Sequence, residues 1–222
     1  MSKPLALVYR GPATTEGCPE AVAELLRSSR HGFRVQYAGP GGDVPLKRKS
    51  LEEAALYAQP GGGTLEDSYP HLKNRREVIR DFVSEGGAYL GFCLGGYLAG
   101  ATPGFGLLPG DTDQYIESDG ATVEHDGNTL VKVRWGMFRR RKLFFQDGPY
   151  FWLKDGAKAN VVARYSNGEI AAVVTPFGSG KVGVVGPHPE ATRDWFTDAG
   201  LSVPWRSGTK LGQALVDAVM AR

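Results

Sequence analysis

The chain has 222 residues, of which 41% are hydrophobic and 23% charged, with a formal net charge of +2 at pH 7. This balance is typical of a globular chain with a sizeable core, and so small a charge does not indicate nucleic acid or an anionic membrane surface as the main partner. The sequence has no apolar stretch of the roughly 20 residues that span a bilayer and no signal-peptide pattern at its N-terminus, so we expect a cytoplasmic location.

The first half of the chain alternates strand and helix signals. Leu5 to Tyr9 is an apolar run that predicts a buried parallel strand, and Pro19 suits the first turn of the helix that follows. The next elements predicted in chain order are a strand around Phe33–Tyr37, a strand over Ala54–Gln59, a helix capped by Asn74 and a strand over Ala88–Phe92. This succession favours a doubly wound sheet.

The tract from about 112 to 174 has a different pattern, with alternating apolar and polar residues. It carries Asp-Gly or Asn-Gly turn signals at 119–120, 126–127, 147–148 and 167–168. We interpret it as a β-rich insertion or extension of the same sheet. Paired strands are predicted at 170–175 and 181–185, followed by a terminal amphipathic helix around 211–219. The whole pattern predicts an α/β chain, a flavodoxin-like three-layer sandwich with helices on both faces of a mostly parallel sheet.

Cys93 carries the sharpest chemical signal in the sequence. Gly91 and Gly95 lie two residues on either side of it, between a predicted strand and a predicted helix. Glycines at these positions leave room for a strained strand-to-helix turn that projects a nucleophile at the carboxyl edge of the sheet. A thiolate there would also lie near a helix N-terminus. The alternative is that Cys93 is a small buried hydrophobic residue.

His188 and Glu190 follow the predicted strand 181–185 and are therefore expected at the same edge of the sheet. Pro189 favours an extended conformation at His188, so the side chains two residues apart point the same way. Glu190 can then orient the imidazole while its other nitrogen faces the thiol. The alternative is a surface His-Glu pair at the start of a helix.

A glycine run, Gly61–Gly63, follows another predicted strand. Its unobstructed amides are suited to hold an oxyanion together with the amide of Leu94. Taken alone, the run is equally typical of a turn without a ligand. Convergence of three strand-end motifs on one edge favours the functional interpretation.

The remaining candidate residues are interpreted as structural or solvent-exposed rather than functional. The four histidines and two cysteines lack the spacing of metal ligands, so no metal site is expected, and Cys18 is assigned no role. The basic run 139–142 is interpreted as a solvated hairpin rather than an anion or RNA site.

Together these motifs resemble the three signatures of class I glutamine amidotransferases. Within that superfamily the chain is similar to the biotin-protein-ligase N-terminal-domain-like family. The resemblance is carried, in order, by residues 8–12, 59–62, 85–97, 145–151 and 186–190. It implies one amidotransferase-like domain over residues 1–222, with Cys93 as nucleophile, His188 as general base, Glu190 as its partner, and an oxyanion hole at Gly61, Gly62 and Leu94.

The resemblance implies a cysteine-dependent amidohydrolase or amidotransferase-like enzyme that cleaves an amide bond through a thioacyl intermediate. Its substrate would be a small amide or a peptide, no cofactor would be needed, and a partner enzyme is an open expectation. The family usually has glutamine four residues after the nucleophile. Tyr97 stands there, which leaves the use of free glutamine open. Tyr97, Tyr69 and Tyr150 are candidates for the substrate pocket.

Two alternatives remain open from the sequence. The chain can be a non-catalytic regulatory or ligand-binding module that retains the scaffold, as the resemblance to a ligase N-terminal domain suggests. It can also be a cysteine peptidase with the same catalytic residues, since that class differs only in what its pocket admits.

Overall fold

The computed structural model describes residues 3–136 and 139–221, with the side chain of Arg139 excepted. Eleven described strands belong to one hydrogen-bonded sheet. They are β1 Leu5–Tyr9, β2 Arg34–Ala38, β3 Leu56–Gln59, β4 Ala88–Phe92, β5 Gly110–Gln114, β6 Thr129–Trp135, β7 Arg139–Phe145, β8 Pro149–Leu153, β9 Asn160–Tyr165, β10 Ile170–Phe177 and β11 Gly180–Val185. The helices are α1 Cys18–Ser28, α2 Arg48–Glu52, α3 Leu65–Leu72, α4 Arg76–Ser84, α5 Leu94–Ala99, α6 Arg193–Asp198 and α7 Thr209–Met220.

The main path of the sheet runs β2-β1-β3-β4-β11-β10-β9-β6-β7, and β8, with β5 beside it, joins at β10. Pairing is parallel from β2 to β11 and antiparallel from β11 onward. The expected flavodoxin-like α/β class is confirmed, with the five parallel strands forming one half of the sheet and β2 its edge. The β-rich tract hydrogen-bonds to the same sheet through β9 and β10, so it extends the sheet as expected.

Helices cover both faces of the parallel strands because alternate strand residues are apolar on both sides. Val8 and Leu90 pack in one cluster with buried residues of α1 and α7. Leu7 and Tyr89 point to the opposite face and pack with α4 and α5. Helix α4 is amphipathic and buries Ile79, Phe82 and Val83. Within the described residues, no helix has both the length and the apolar character needed to cross a membrane.

Two local expectations were wrong. Asn74 does not cap a helix, because it lies within a 3₁₀ turn, Lys73–Arg75, that joins α3 to α4. The capped N-terminus is instead that of α3, where the Thr64 hydroxyl accepts a hydrogen bond from the Asp67 amide at 3.2 Å. The third strand begins at Leu56 rather than Ala54.

Only one of the four turn signals joins strands that pair with each other. Asn167–Gly168 connects the antiparallel neighbours β9 and β10. Asp147–Gly148 instead separates β7 from β8, which pair with other strands, and the two earlier signals lie in the loop before β6. The basic run falls on β7, where Arg140 and Lys142 are exposed, consistent with the solvated hairpin.

Candidate active site

Cys93 occupies a strained turn between β4 and α5. Its φ of 47° and ψ of −107° are rare for a residue with a side chain. The flanking glycines make the turn possible, because a Cβ on Gly91 would lie 2.3 Å from the Gly95 carbonyl oxygen. A Cβ on Gly95 would lie 2.0 Å from the carbonyl oxygen of Gln59. The Tyr89 hydroxyl also donates to the Gly95 carbonyl at 2.7 Å, which fixes the turn against the strand.

The cysteine thiol lies under the loop between β7 and β8. Its Sγ donates to the carbonyl of Gln146 at 3.5 Å. Asp147, the next residue, also has a positive φ of 44°. This kink leaves the Asp147 carbonyl to accept a hydrogen bond from the Tyr97 hydroxyl at 3.1 Å. The β7–β8 loop therefore shapes the ground-state position of the thiol.

His188 and Glu190 form a buried pair just beyond β11. The Nδ1 of His188 lies 2.8 Å from the Oε1 of Glu190, and each residue is 5% exposed. The His188 amide donates to the Phe144 carbonyl at 2.9 Å, which ties this segment to β7. The Oε2 of Glu190 is buried and has no hydrogen-bond partner among the described residues. The imidazole is thus oriented by the carboxylate, as the spacing predicted.

The charges around His188 favour its protonated form. Burial alone lowers the pKa of His188, but the negative charges of Glu190 and Cys93 outweigh it and raise the pKa from 6.5 to about 10. Helix α5 is only six residues long, so we assign the main positive charge near the thiol to the imidazolium rather than to the helix terminus. An imidazolium at this place puts a positive charge beside the sulfur of Cys93.

The glycine turn after β3 lies against both of these elements. A Cβ on Gly61 would lie 2.7 Å from the Cε1 of His188, and one on Gly62 would lie 2.7 Å from the Cδ2 of Leu94. The carbonyl of Gly61 accepts hydrogen bonds from the Thr14 hydroxyl and the Thr15 amide. The backbone amides of Gly61, Gly62 and Leu94 donate no hydrogen bond to any described residue. The structure therefore brings together all six residues assigned to the triad and oxyanion hole.

A cavity of about 290 Å³ opens beside Cys93 and His188. Other residues in its wall were missed by sequence reasoning and include Cys18, Asn128, Phe144, Gln146 and Trp195. They come from loops and short elements far apart in the chain, which no local motif connects. The sequence signal that could have placed Cys18 in this wall is its position after β1, because the loops after parallel strands lie at the same edge of the sheet.

The three tyrosines expected in the pocket do not line this cavity. Tyr97 turns its hydroxyl to the Asp147 carbonyl. Tyr69, on α3, and Tyr150, on β8, pack against opposite hydrophobic clusters of the core. The expectation fails because position in a motif does not determine which way a long side chain points once the neighbouring loop is in place.

Cys18 instead lies close to the proposed nucleophile. Its Sγ is 3.6 Å from the position of a Cβ built on Gly61. Burial, and then the charges of Glu190 and Cys93, raise the pKa of the Cys18 thiol. It is therefore expected to remain a neutral thiol at neutral pH.

Comparisons with known proteins agree with this architecture. A family model described as "Biotin-protein ligase, N terminal" matches residues 5–118, which contain the glycine turn and Cys93 but not His188. The biotin–protein ligase of Schizosaccharomyces pombe is 27% identical over 165 residues, which cover 61% of this chain and 25% of that protein.

Similarity also extends to the imidazole glycerol phosphate synthase subunit HisH. The Acaryochloris marina protein is 31% identical over 101 residues, 42% of this chain and 47% of that protein. The match thus spans about half the length of that relative. The protein from a Cyanothece species is 26% identical over 181 residues, 76% of this chain and 84% of that protein.

Two solved structures share the fold at low sequence identity. A glutamine amidotransferase crystal structure has a TM-score of 0.61 and 19% identity, covering 89% of this chain and 99% of that chain. A putative GMP synthase component from Thermoplasma acidophilum has a TM-score of 0.63 and 12% identity, covering 99% of this chain and 94% of that chain. At these identities the likeness concerns the fold alone.

Proposed function

The chain belongs to the biotin-protein ligase N-terminal family, and we propose that it is an amidotransferase-like enzyme that hydrolyses an amide through Cys93. One observation carries this proposal: His188, buried and paired with Glu190, lines the same cavity as a cysteine held at a strained strand-to-helix turn. A purely structural cysteine would need neither the strained backbone nor a buried, charged neighbour.

The first half of the proposed reaction forms an acyl-enzyme. The Cys93 thiolate attacks the carbonyl carbon of the amide, and the carbonyl oxygen becomes an oxyanion. The amides of Gly61, Gly62 and Leu94 would stabilise that oxyanion, because they have no other partner in the described chain. His188, protonated at neutral pH, gives its proton to the departing amine as the C–N bond breaks.

The second half of the proposed reaction releases the acid. His188 is now neutral and takes a proton from water, and the resulting hydroxide attacks the thioester carbonyl. The C–S bond breaks, which restores the Cys93 thiolate beside the His188 imidazolium and frees a carboxylic acid. Glu190 keeps the imidazole oriented throughout. The proposal needs no metal or organic cofactor.

We further propose that residues 1–222 act as one amidotransferase-like domain on a small amide or short peptide. One sheet containing strands from both halves of the chain supports the single domain. The similarity to a synthase subunit supports a partner enzyme that receives the released amine. Use of free glutamine is a weaker proposal, because Tyr97 is turned away from the cavity.

The alternative, a non-catalytic binding module, is favoured by one contact. The Cys93 thiol donates to the Gln146 carbonyl, and this hydrogen bond is lost when the sulfur gives up its proton to react as a thiolate. A module that only binds ligands would tolerate this arrangement.

The test is the pH dependence of Cys93 alkylation by iodoacetamide, followed by intact mass and peptide mapping, in the parent protein and in His188→Ala. We expect the parent thiol to react at its full rate well below pH 8.5, the region where a free thiol ionises. His188→Ala should move the midpoint up toward 8.5.

The matched control is His71→Ala, which removes an exposed histidine on α3 and should leave the profile unchanged. If Cys93 reacts as an ordinary thiol in the parent and His188→Ala changes nothing, the enzyme proposal is wrong and the binding module becomes the better hypothesis.

A further inference from the structure

We propose that the site is selective for amides that carry a positive charge near the scissile bond, an inference that rests on the proposed function above. The first observation is the sign of the charges in the cavity wall. Among the described residues that line it, the carboxylates are Glu16 and Asp198, the only basic group is His188, and lysine and arginine are absent. His188 is buried and already paired with Glu190.

The second observation is that neither rim carboxylate has a basic partner among the described residues. Glu16 and Asp198 are exposed, and within the described part of the chain neither has a lysine, arginine or histidine nitrogen within 4.0 Å. Glu20, a nearby acid on α1, is by contrast paired with Arg10. The negative charge at the mouth is therefore available to a ligand.

The two carboxylates reach the mouth from separate elements. Glu16 belongs to the loop after β1, and Asp198 ends α6. These elements lie against each other, since a Cβ built on Gly17 would be 3.9 Å from the Nε1 of Trp195 in α6. A cation entering the cavity would thus experience both charges at once.

The third observation is an aromatic wall between this rim and the catalytic pair. The ring centroids of Trp195 and His188 are 5.2 Å apart, and those of Trp195 and Phe144 are 5.4 Å apart. Indole and phenyl faces attract ammonium and guanidinium groups, and most strongly where water is excluded. The wall and the rim therefore favour the same kind of ligand.

The same arrangement opposes substrates with a free carboxylate. A carboxylate at the mouth would meet two like charges, and the described wall offers no lysine or arginine to pair with it. Free glutamine carries such a group beside its amine. We therefore infer that an amide with a net positive charge, such as a basic peptide or a polyamine amide, is preferred over glutamine.

The experiment compares three chloroacetamides of equal length that end in an ammonium, a hydroxyl and a carboxylate group. The measured quantity is the second-order rate constant for alkylation of Cys93 at neutral pH and low salt. We expect the ammonium probe to react about 3- to 10-fold faster than the hydroxyl probe, and the carboxylate probe to react slowest. A rate ratio of this size is expected from the attraction of two partly screened charges within several ångströms.

The double variant Glu16→Gln, Asp198→Asn should bring the three rates together once each is divided by the rate of the same protein with neutral iodoacetamide, which corrects for any change in the intrinsic reactivity of Cys93. The matched control is Glu24→Gln, Asp155→Asn, which removes two exposed carboxylates outside the cavity. It should keep the charge order of the parent.

The outcomes separate this inference from the function on which it rests. If iodoacetamide finds an activated Cys93 but the three probes react equally, the charge selectivity is wrong and the proposed enzyme stands. If Cys93 is not activated toward any reagent, the proposed function itself fails. Convergence of the three rates in the control variant as well would also overturn the assignment to Glu16 and Asp198.

Discussion

The two cysteines show how one side chain acquires different chemistry from its surroundings. Cys93 is held at a positive φ and lies near a histidine whose pKa is raised above its usual value. Cys18 lines the same cavity, but burial and the negative charges of Glu190 and Cys93 raise the pKa of its thiol. A thiolate is thus disfavoured at Cys18, whereas Cys93 has a positively charged neighbour.

We therefore expect iodoacetamide at pH 7 to modify Cys93 at least about tenfold faster than Cys18, because the thiolate is the reactive form. Peptide mapping of partly labelled protein measures both rates. Cys93→Ser should remain largely unlabelled under the same conditions. Comparable labelling of Cys18 and Cys93 would contradict this account of their environments.

At the scale of the element, the turn from β4 into α5 requires a close approach between its own backbone and the backbone at the end of β3. Gly95 lies so near the end of β3 that a methyl group would overlap the Gln59 carbonyl. That carbonyl belongs to the main chain of a buried strand and cannot move aside cheaply. By contrast, a Cβ built on Gly63 in the neighbouring turn has no atom of the described residues within 4 Å.

Gly95→Ala should therefore lower the free energy of unfolding by about 3 kcal/mol or more, the upper part of the range for overpacked sites. Gly63→Ala is the matched control and should change it by less than about 1 kcal/mol, with stabilisation expected from the stiffer unfolded chain. Urea unfolding followed by circular dichroism measures both values. Equal effects of the two substitutions would show that the close approach at Gly95 is unimportant.

At the scale of the whole molecule, the sheet order brings three strand ends together at one edge. β3, β4 and β11 are consecutive neighbours, so the glycine turn, Cys93 and His188 meet although they are far apart in sequence. The same assembly buries the His188–Glu190 pair. Global stability is therefore linked to the protonation of His188.

The pKa of His188 is raised in the folded state, so its proton stabilises the fold fully below the unfolded pKa near 6.5. This contribution is lost as pH rises toward about 10, the folded value. In a Cys93→Ala background, where no thiol titrates at that position, Glu190→Gln should remove much of the effect. The difference in unfolding free energy between the two proteins should then shrink by up to about 1.4 kcal/mol per pH unit above pH 6.5. The upper end of the window lies below that of the parent, because Cys93 no longer raises the pKa of His188.

Urea unfolding of Cys93→Ala and of Cys93→Ala, Glu190→Gln at pH 6, 7, 8 and 9 measures that difference. A difference that stays constant with pH would mean that Glu190 does not raise the pKa of His188.

Much of the parallel half of the fold was predictable from the sequence because its signals are local. Leu5–Tyr9 and Ala88–Phe92 appear as strands with the expected bounds, since continuous apolar runs between turn residues have few other stable arrangements. The predicted Asn74 cap was wrong because Thr64 caps the preceding helix, α3, which runs through Pro70 to Leu72 and is joined to α4 by the 3₁₀ turn that contains Asn74.

The sequence by itself determined the elements of the site, since glycines around Cys93 and the spacing of His188 and Glu190 are short-range requirements of backbone geometry and hydrogen bonding. Only the tertiary structure decided what faces the nucleophile. It turned Tyr97 toward a loop carbonyl and placed Cys18, Trp195 and the carboxylates of Glu16 and Asp198 around the cavity. Those residues belong to separate loops and helices, and contact between them depends on how the layers pack, which no local pattern specifies.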